Sequence, residues 1–115
     1  MPTLEACSAT TVTNKFRQTP AESTDADGYK EVAAFLNVTK LANGGSTLTV
    51  ELTHAARNTN DDYVSLLEWN NITTATTSVA YIDDFLRFLR VKAYWTTANT
   101  TTTADVELLV VPKVR

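Results

Sequence analysis

The residues able to perform acid–base or nucleophilic chemistry are few and widely separated in this sequence. His54 is the single histidine and Cys7 the single cysteine among 115 residues. A nucleophilic site would need His54 beside a serine or cysteine and an orienting carboxylate, and the spacing indicates no such set. We interpret His54 as a half-buried residue that caps the core at a strand end. We interpret Cys7 as incidental, with an intermolecular contact as the one alternative. The sequence therefore predicts no enzyme activity, no catalytic residue and no cofactor.

The aspartates are the other residues that could bind a ligand. Six of the seven lie in three pairs in the chain: Asp25 and Asp27, Asp61 and Asp62, and Asp83 and Asp84. Calcium takes several oxygen ligands, and loop carboxylates can supply them. The pairs lack the glycine and the terminal glutamate of an EF-hand loop. We therefore favour solvated loop carboxylates and predict no metal site, while calcium binding by these loops stays an open alternative.

Aromatic side chains could form a sugar-stacking platform or anchor a protein interface, where tryptophan and tyrosine are enriched. Two-residue alternation places Trp95 on the core face of its strand and Tyr94 on the outer face. Trp69 falls at a strand end, where packing at the rim of the core is the simpler interpretation. The candidate interaction surface that we select contains Phe16, Arg17, Trp69 and Tyr94.

Charge and hydropathy restrict the partners. The formal net charge is −3 and the isoelectric point is about 5.0, which opposes binding to nucleic acid because that requires a cationic surface. No apolar run approaches the ~20 residues that span a bilayer. The first residues have neither the basic nor the apolar region of a signal peptide. We expect a soluble protein made in the cytoplasm, with no nucleic acid and no membrane among its partners.

The elements that position these residues are predicted to be β-strands. Residues 48–54 place apolar side chains at every second position, which is the period of a half-buried strand. The same pattern recurs between turn-forming segments, and threonine, which suits a pleated surface, is over-represented. The predicted strands cover residues 29–40, 48–54, 63–69, 76–82, 86–95 and 104–111, with a possible short strand at 10–17.

These strands predict an all-β fold, an antiparallel β-sandwich of jelly-roll type with six to eight short strands. We divide the chain into an extended N-terminal arm, residues 1–28, and a sandwich domain, residues 29–115. Residues 43–46 are predicted to form a hairpin between the strands at 29–40 and 48–54. Residues 81–88 fit either a helical turn or a strand, and Pro112 is expected to end the last strand. The predicted core contains Leu36, Val38, Leu48, Val50, Leu52, Leu66, Leu89, Val91, Val106, Leu108 and Val110.

Several segments in this order resemble a known class of proteins. They are residues 32–38, the glycines of the 43–46 loop, residues 48–54, and residues 88–93 followed by a Thr-rich tip and 104–108. Together they resemble small β-sandwich virion structural proteins of tailed bacteriophages, of the head-decoration or tail-associated type. The loop at residues 58–62 departs from the resemblance, because a glycine is usual there.

The resemblance implies a location in the virion, after synthesis in the host cytoplasm, and a structural role without catalytic residues. We expect a capsid decoration or cement protein that binds a repeating protein lattice. Its partners would be the major capsid or tail protein and further copies of itself in a homo-oligomer. The alternative is a carbohydrate-binding or host-recognition module of a tail or fibre, for which a glycan would be the ligand.

Overall fold

The computed structural model describes residues 4–19, 22–59 and 62–113, and side chains within residues 10–19, 22–59 and 62–112. Within these ranges the chain forms nine β-strands and no α-helix. The strands are β1 (Leu4–Val12), β2 (Lys15–Arg17), β3 (Thr24–Asp25), β4 (Glu31–Ala42), β5 (Leu48–Ala55), β6 (Val64–Ile72), β7 (Thr76–Ile82), β8 (Phe88–Trp95) and β9 (Thr103–Lys113).

The strands form two antiparallel sheets that pack face to face, which confirms the predicted β-sandwich. Sheet A contains four strands in the order β1-β9-β4-β7. Sheet B has the order β2-β8-β5-β6, and β3 also pairs with β8. Lys15 of β2 lies opposite Tyr94, whereas Thr24 of β3 lies opposite Leu89. Thus β2 and β3 follow one another along the same edge of β8.

The predicted hairpin at residues 43–46 is wrong. These residues do form a turn, in which the Ser46 N–H donates to the Asn43 carbonyl at 2.7 Å. However, β4 lies in sheet A and β5 lies in sheet B, so the chain crosses between the layers at this point. Among the described strands only β5 and β6 are both consecutive and paired with each other. A turn motif reverses the chain, but it does not specify which strand the returning segment will join.

The N-terminal residues differ from the extended arm that the sequence suggested. Strand β1 pairs with β9 from Leu4 opposite Val110 to Val12 opposite Ala104. The register of this pairing shifts twice, and such irregularities interrupt the two-residue alternation by which a strand is recognised. β2 and β3 then join sheet B. The described residues before position 28 therefore contribute to both layers of the sandwich.

Two expectations near the strand ends also need correction. Residues 83–87, between β7 and β8, contain bends and no helical turn, so β8 begins at Phe88 and not at residue 86. Pro112 does not end β9, because it lies within the strand opposite Val32. The described pairing of β1 with β9 reaches only Val110, so at Pro112 strand β9 pairs with β4 alone and the missing N–H of proline is tolerated, as on an edge strand.

The core lies between the two sheets and consists of their inward-facing side chains. The predicted core residues are buried, except that Leu66 is only partly buried against the others. The register between β5 and β6 shifts next to Leu66, which removes this residue from strict alternation. Buried apolar residues that the predicted core lacked are Val12, Ala26, Val32, Ala34, Ala55, Ile72, Ala93, Trp95 and Ala104.

Candidate interaction surfaces

Three of the four predicted surface residues line one open groove along β2 and β8 of sheet B, although Phe16 also packs partly against the core. Phe16 and Arg17 lie on β2, opposite Ala93 and Lys92 of β8, and Tyr94 follows in the same pair of strands. These residues line an open groove of about 760 Å³. Because β2 and β8 are about 75 residues apart in sequence, only their pairing brings the candidates together.

The groove combines an aromatic ring with cationic side chains. Lys15 and Arg17 on β2 and Lys92 on β8 all line it. The Lys92 ammonium lies 5.4 Å from the centroid of the Tyr94 ring, within the range of a cation–π contact. Burial raises the pKa of the Tyr94 hydroxyl, and a hydrogen bond to Glu51 raises that pKa further. The groove therefore places three cationic side chains along its wall, while the Tyr94 hydroxyl is engaged by the Glu51 carboxylate.

Trp69, the fourth candidate, lies elsewhere. It is on β6, at the opposite edge of sheet B from β2. Its partner in β5 is the buried Val50, so its ring packs partly against the core. Trp69 also lines a second groove of about 450 Å³, together with residues 70–74 and Ser78 of β7. Two-residue alternation in the sequence shows which face of a strand a side chain occupies, but it could not show that Trp69 lies in a different groove from Phe16, Arg17 and Tyr94.

The outer face of sheet B carries an ordered row of charges next to a buried cation. The pairing places Arg17, Lys92, Glu51 and Glu68 side by side across the four strands, so two cations are followed by two acids. Arg90 is only 2% exposed, and its guanidinium lies 4.0 Å from the centroid of the Tyr63 ring. Burial lowers the pKa of Arg90, and the nearby Arg17 acts in the same direction. The Arg90 guanidinium is therefore held on this face by stacking on the Tyr63 ring.

His54 occupies a structural position, as its place at the strand end indicated. It is half-buried, and its Nδ1 accepts a hydrogen bond from the Leu86 N–H at 3.1 Å. Burial lowers the pKa of His54, and the negative charge of Asp84 opposes that shift. The imidazole therefore ties the segment before β8 to β5, and this contact favours its neutral form because Nδ1 is the acceptor.

Asp25 and Asp62, from two of the three acidic pairs, each accept hydrogen bonds from an arginine. Asp25 accepts hydrogen bonds from Arg87 Nε at 3.0 Å and Nη2 at 2.9 Å, and its pKa is lowered chiefly by this contact. Asp62 accepts from Arg57 Nε at 2.8 Å. Asp61 and the side chain of Cys7 lie outside the described residues and side chains.

Sheet A presents an apolar outer face, which the sequence analysis missed. Cross-strand pairing aligns two rows on it: Leu109, Phe35 and Val79 in one, and Val111, Ala33 and Tyr81 in the other. Val79 is 47% exposed and Tyr81 is 69% exposed, while the other four are partly buried. We call these six residues the apolar face of sheet A. We take this contiguous patch as a candidate site of interaction.

One signal in the sequence could have revealed this face. Residues 108–112 of β9 are apolar at five consecutive positions, so both faces of the strand are apolar there. A strand with one solvated face alternates instead. The neighbouring rows, however, come from residues 33–35 and 79–81, and alternation within one strand cannot identify those partners.

Comparisons with known proteins do not place the chain in a family. No protein-family model matches it, and a search of curated proteins finds no significant match. Across the described residues, no helix has the length and hydropathy needed to cross a membrane. The same residues contain no group of three or more histidine, cysteine, aspartate or glutamate side chains arranged to hold a metal ion.

Proposed function

We propose that this chain is a non-enzymatic structural protein that attaches to a repeating protein surface, as a capsid decoration or cement protein does. The observation that carries the proposal is the apolar face of sheet A. Apolar patches of this kind, rimmed by polar residues, occur where proteins bind other proteins. Asn37, Thr77 and Glu107 form the polar row on one side of the face.

The strand order supports a virion role by analogy of fold. If β2 and β3 are taken as one interrupted strand, the sandwich has eight strands in the orders β1-β9-β4-β7 and β2/β3-β8-β5-β6. All but one of the connections between consecutive strands of this set cross from one sheet to the other. These crossings support a jelly roll as the finer description of the sandwich, and jelly rolls occur in viral capsid and lectin domains.

Attachment would work through many identical contacts. Phe35 lies at the centre of the first row, between Leu109 and Val79, so an aromatic anchor would be flanked by aliphatic side chains. Aromatic residues at the centre of an interface contribute much of the binding energy. On a symmetric lattice each copy meets the same surface, and copies that also contact one another gain avidity from modest individual contacts.

The test is co-sedimentation of the purified protein with particles assembled from the major capsid protein of the same genome. The unsubstituted protein is expected to pellet with the particles. Leu109→Gln puts a polar amide of similar size on the apolar face and is expected to weaken binding about tenfold. Far-UV circular dichroism establishes that this variant remains folded.

Val64→Gln is the matched control, because Val64 is 56% exposed on sheet B, away from the apolar face. This variant is expected to bind like the unsubstituted protein. The proposal fails if the unsubstituted protein does not pellet with the particles, or if Leu109→Gln and Val64→Gln bind equally well.

Carbohydrate binding is the second candidate, and the groove on sheet B is the observation that favours it. Tyr94 supplies a ring for stacking, while Lys15, Arg17 and Lys92 would suit a glycan that carries carboxylate or sulfate groups. A glycan array tests this function. Signal from acidic glycans that is lost in Tyr94→Ala would support it, and an array without signal would exclude it.

A further inference from the structure

The outer strands of the sandwich differ in how their free edges are protected against pairing with another chain. In sheet B, β2 has three residues, of which Lys15 and Arg17 are charged, and β3 has only two residues. β6 contains Glu68, and its register against β5 shifts twice. In sheet A, the register of β1 against β9 also shifts twice. Short length, charge and irregular register are the features by which proteins prevent edge-to-edge association.

Strand β7 has none of these features. Its seven residues, Thr-Thr-Ser-Val-Ala-Tyr-Ile, include no charged residue, no proline and no glycine. They pair with β4 in unbroken register, from Thr76 opposite Val38 to Ile82 opposite Val32. Among the described strands, β7 pairs with β4 alone, so its other edge is the outer boundary of sheet A. A regular, uncharged edge of this length is a template for a further strand.

We propose that this further strand is β7 of a second copy of the chain, paired antiparallel about a two-fold axis at Val79. Val79 is the central residue of β7, and in this register it lies opposite Val79 of the second copy. Thr77 then lies opposite Tyr81 of the second copy. Every second residue pair exchanges two backbone hydrogen bonds, so the seven pairs supply about six to eight. The two copies of sheet A become one continuous sheet.

The side chains on the outer face favour a second copy as the occupant. Leu109, Phe35 and Val79 already form one apolar row across three strands. The two-fold axis at Val79 continues this row into the same three residues of the second copy in reverse order. Each copy thus covers the exposed part of its partner's Val79 with an identical side chain, and the contact is self-complementary, as two-fold interfaces must be.

Charge determines the direction of the pairing. Asp83 and Asp84 follow directly after β7, whereas residues 73–75 before it are uncharged. Antiparallel pairing brings these acids towards the uncharged end of the second copy. Parallel pairing would place the four carboxylates side by side, and like charges in that arrangement are destabilising. The inference goes beyond the proposed function and does not depend on it, since dimerisation can be measured without a capsid.

The test uses opposite charges at the position that meets itself. Val79→Lys and Val79→Glu each place two like charges on the axis, so each is expected to weaken the dimer at least about tenfold. An equimolar mixture of the two variants is expected to restore the dimer, because lysine then lies opposite glutamate. Sedimentation velocity over a range of concentrations gives the mass of each sample. The unsubstituted protein is expected to sediment as a dimer.

Val64→Lys and Val64→Glu are the matched controls, because Val64 is an exposed valine on β6 of the other sheet. Both are expected to dimerise like the unsubstituted protein. The proposal is overturned if the unsubstituted protein is monomeric throughout. It is also overturned if either charged variant at Val79 dimerises normally, or if the mixture stays monomeric while each variant is folded by circular dichroism.

Discussion

At the scale of single residues, Trp95 shows how a polar atom can be buried without a large penalty. Its side chain is 4% exposed, and the indole Nε1–H donates to the Val12 carbonyl at 3.0 Å. A buried donor without an acceptor would be costly. The hydrogen bond also joins β8 of sheet B to β1 of sheet A. The position of this tryptophan therefore connects the two layers as well as filling the core.

We expect Trp95→Phe to lower the free energy of unfolding by about 2–3 kcal/mol, since it removes the hydrogen bond and leaves a cavity. Urea denaturation measures the change. Trp69→Phe makes the same replacement at a half-buried position and is expected to cost less. Equal losses in the two variants would show that the contact with Val12 contributes little.

His54 makes the stability of the folded protein depend on pH. Burial lowers its pKa from the ordinary 6.5, so the unfolded chain binds a proton more readily than the folded one. Its contribution to stability is complete above pH 6.5 and is lost as the pH falls towards the folded pKa. We expect the thermal midpoint to decrease between pH 7.5 and 5.5, and to decrease less in His54→Asn, which keeps an acceptor near Nδ1.

Other groups titrate in a different range. The pKa of Asp25 is lowered from 3.8 by Arg87, so the stability from that contact is lost only below pH 3.8.

The negative charge of Asp84 opposes the lowering of the His54 pKa. Asp84→Asn is therefore expected to steepen the decrease of the thermal midpoint above pH 5.5. Identical pH profiles for the unsubstituted protein and His54→Asn would contradict the assignment.

At the scale of elements, two loops contact each other at one end of the sandwich. The loop between β4 and β5 contains Gly44, whose carbonyl accepts from Asn99 Nδ2 at 2.9 Å in the loop between β8 and β9. Asn99 Oδ1 in turn accepts from the Thr101 N–H at 2.9 Å and from the Thr101 hydroxyl at 2.7 Å. Both loops connect sheet A with sheet B, so this contact fixes the two crossovers relative to each other.

Comparing Gly44→Ala with Gly45→Ala distinguishes the stability lost through backbone strain from the stability lost through the contact between the two loops. Both glycines have positive φ, 53° and 82°, so alanine costs about 1–2 kcal/mol at either. A Cβ at Gly45 would meet nothing within 4 Å, whereas one at Gly44 would collide with the Thr101 hydroxyl and the Asn99 amide. We expect Gly44→Ala to be the more destabilising by about 1 kcal/mol, because Asn99 must give up hydrogen bonds.

Chemical denaturation of the two alanine variants measures this difference. If they unfold at the same denaturant concentration, the hydrogen bonds of Asn99 do not stabilise the end of the sandwich.

At the scale of the whole molecule, the fold depends on one core shared by two sheets. The single cysteine excludes an intrachain disulfide, and the inward faces of β4 and β9 pack against those of β5 and β8. Neither sheet can bury its apolar side chains alone. The two layers should therefore unfold together in one cooperative transition.

Leu108→Ala tests this cooperativity. Leu108 is fully buried on β9 of sheet A, whereas both tryptophans lie on sheet B. We expect the free energy of unfolding to fall by about 2–5 kcal/mol. The transition followed by tryptophan fluorescence should shift as far as the one followed by circular dichroism. A shift in only one of the two signals would mean that the sheets unfold separately.

The sequence by itself determined approximately where strands β4 to β9 form and which of their side chains face inward, whereas the pairing of the N-terminal strands was not foreseen. Trp95 points into the core and Tyr94 outward because successive side chains of a strand alternate between its faces, and that alternation is a local property. It also indicated the two-layer architecture, since regularly spaced strands without helices can bury their apolar faces only against each other.

The tertiary structure alone decided which strands pair, because pairing joins residues that are distant in the chain. The turn at residues 43–46 leads into the other sheet, although its sequence resembles that of a hairpin. The apolar face exists because β4, β7 and β9 align Phe35 with Val79 and Leu109. Each strand shows only a few apolar residues on its outer side. These residues form one continuous surface only when hydrogen bonding between the strands fixes their register across the sheet.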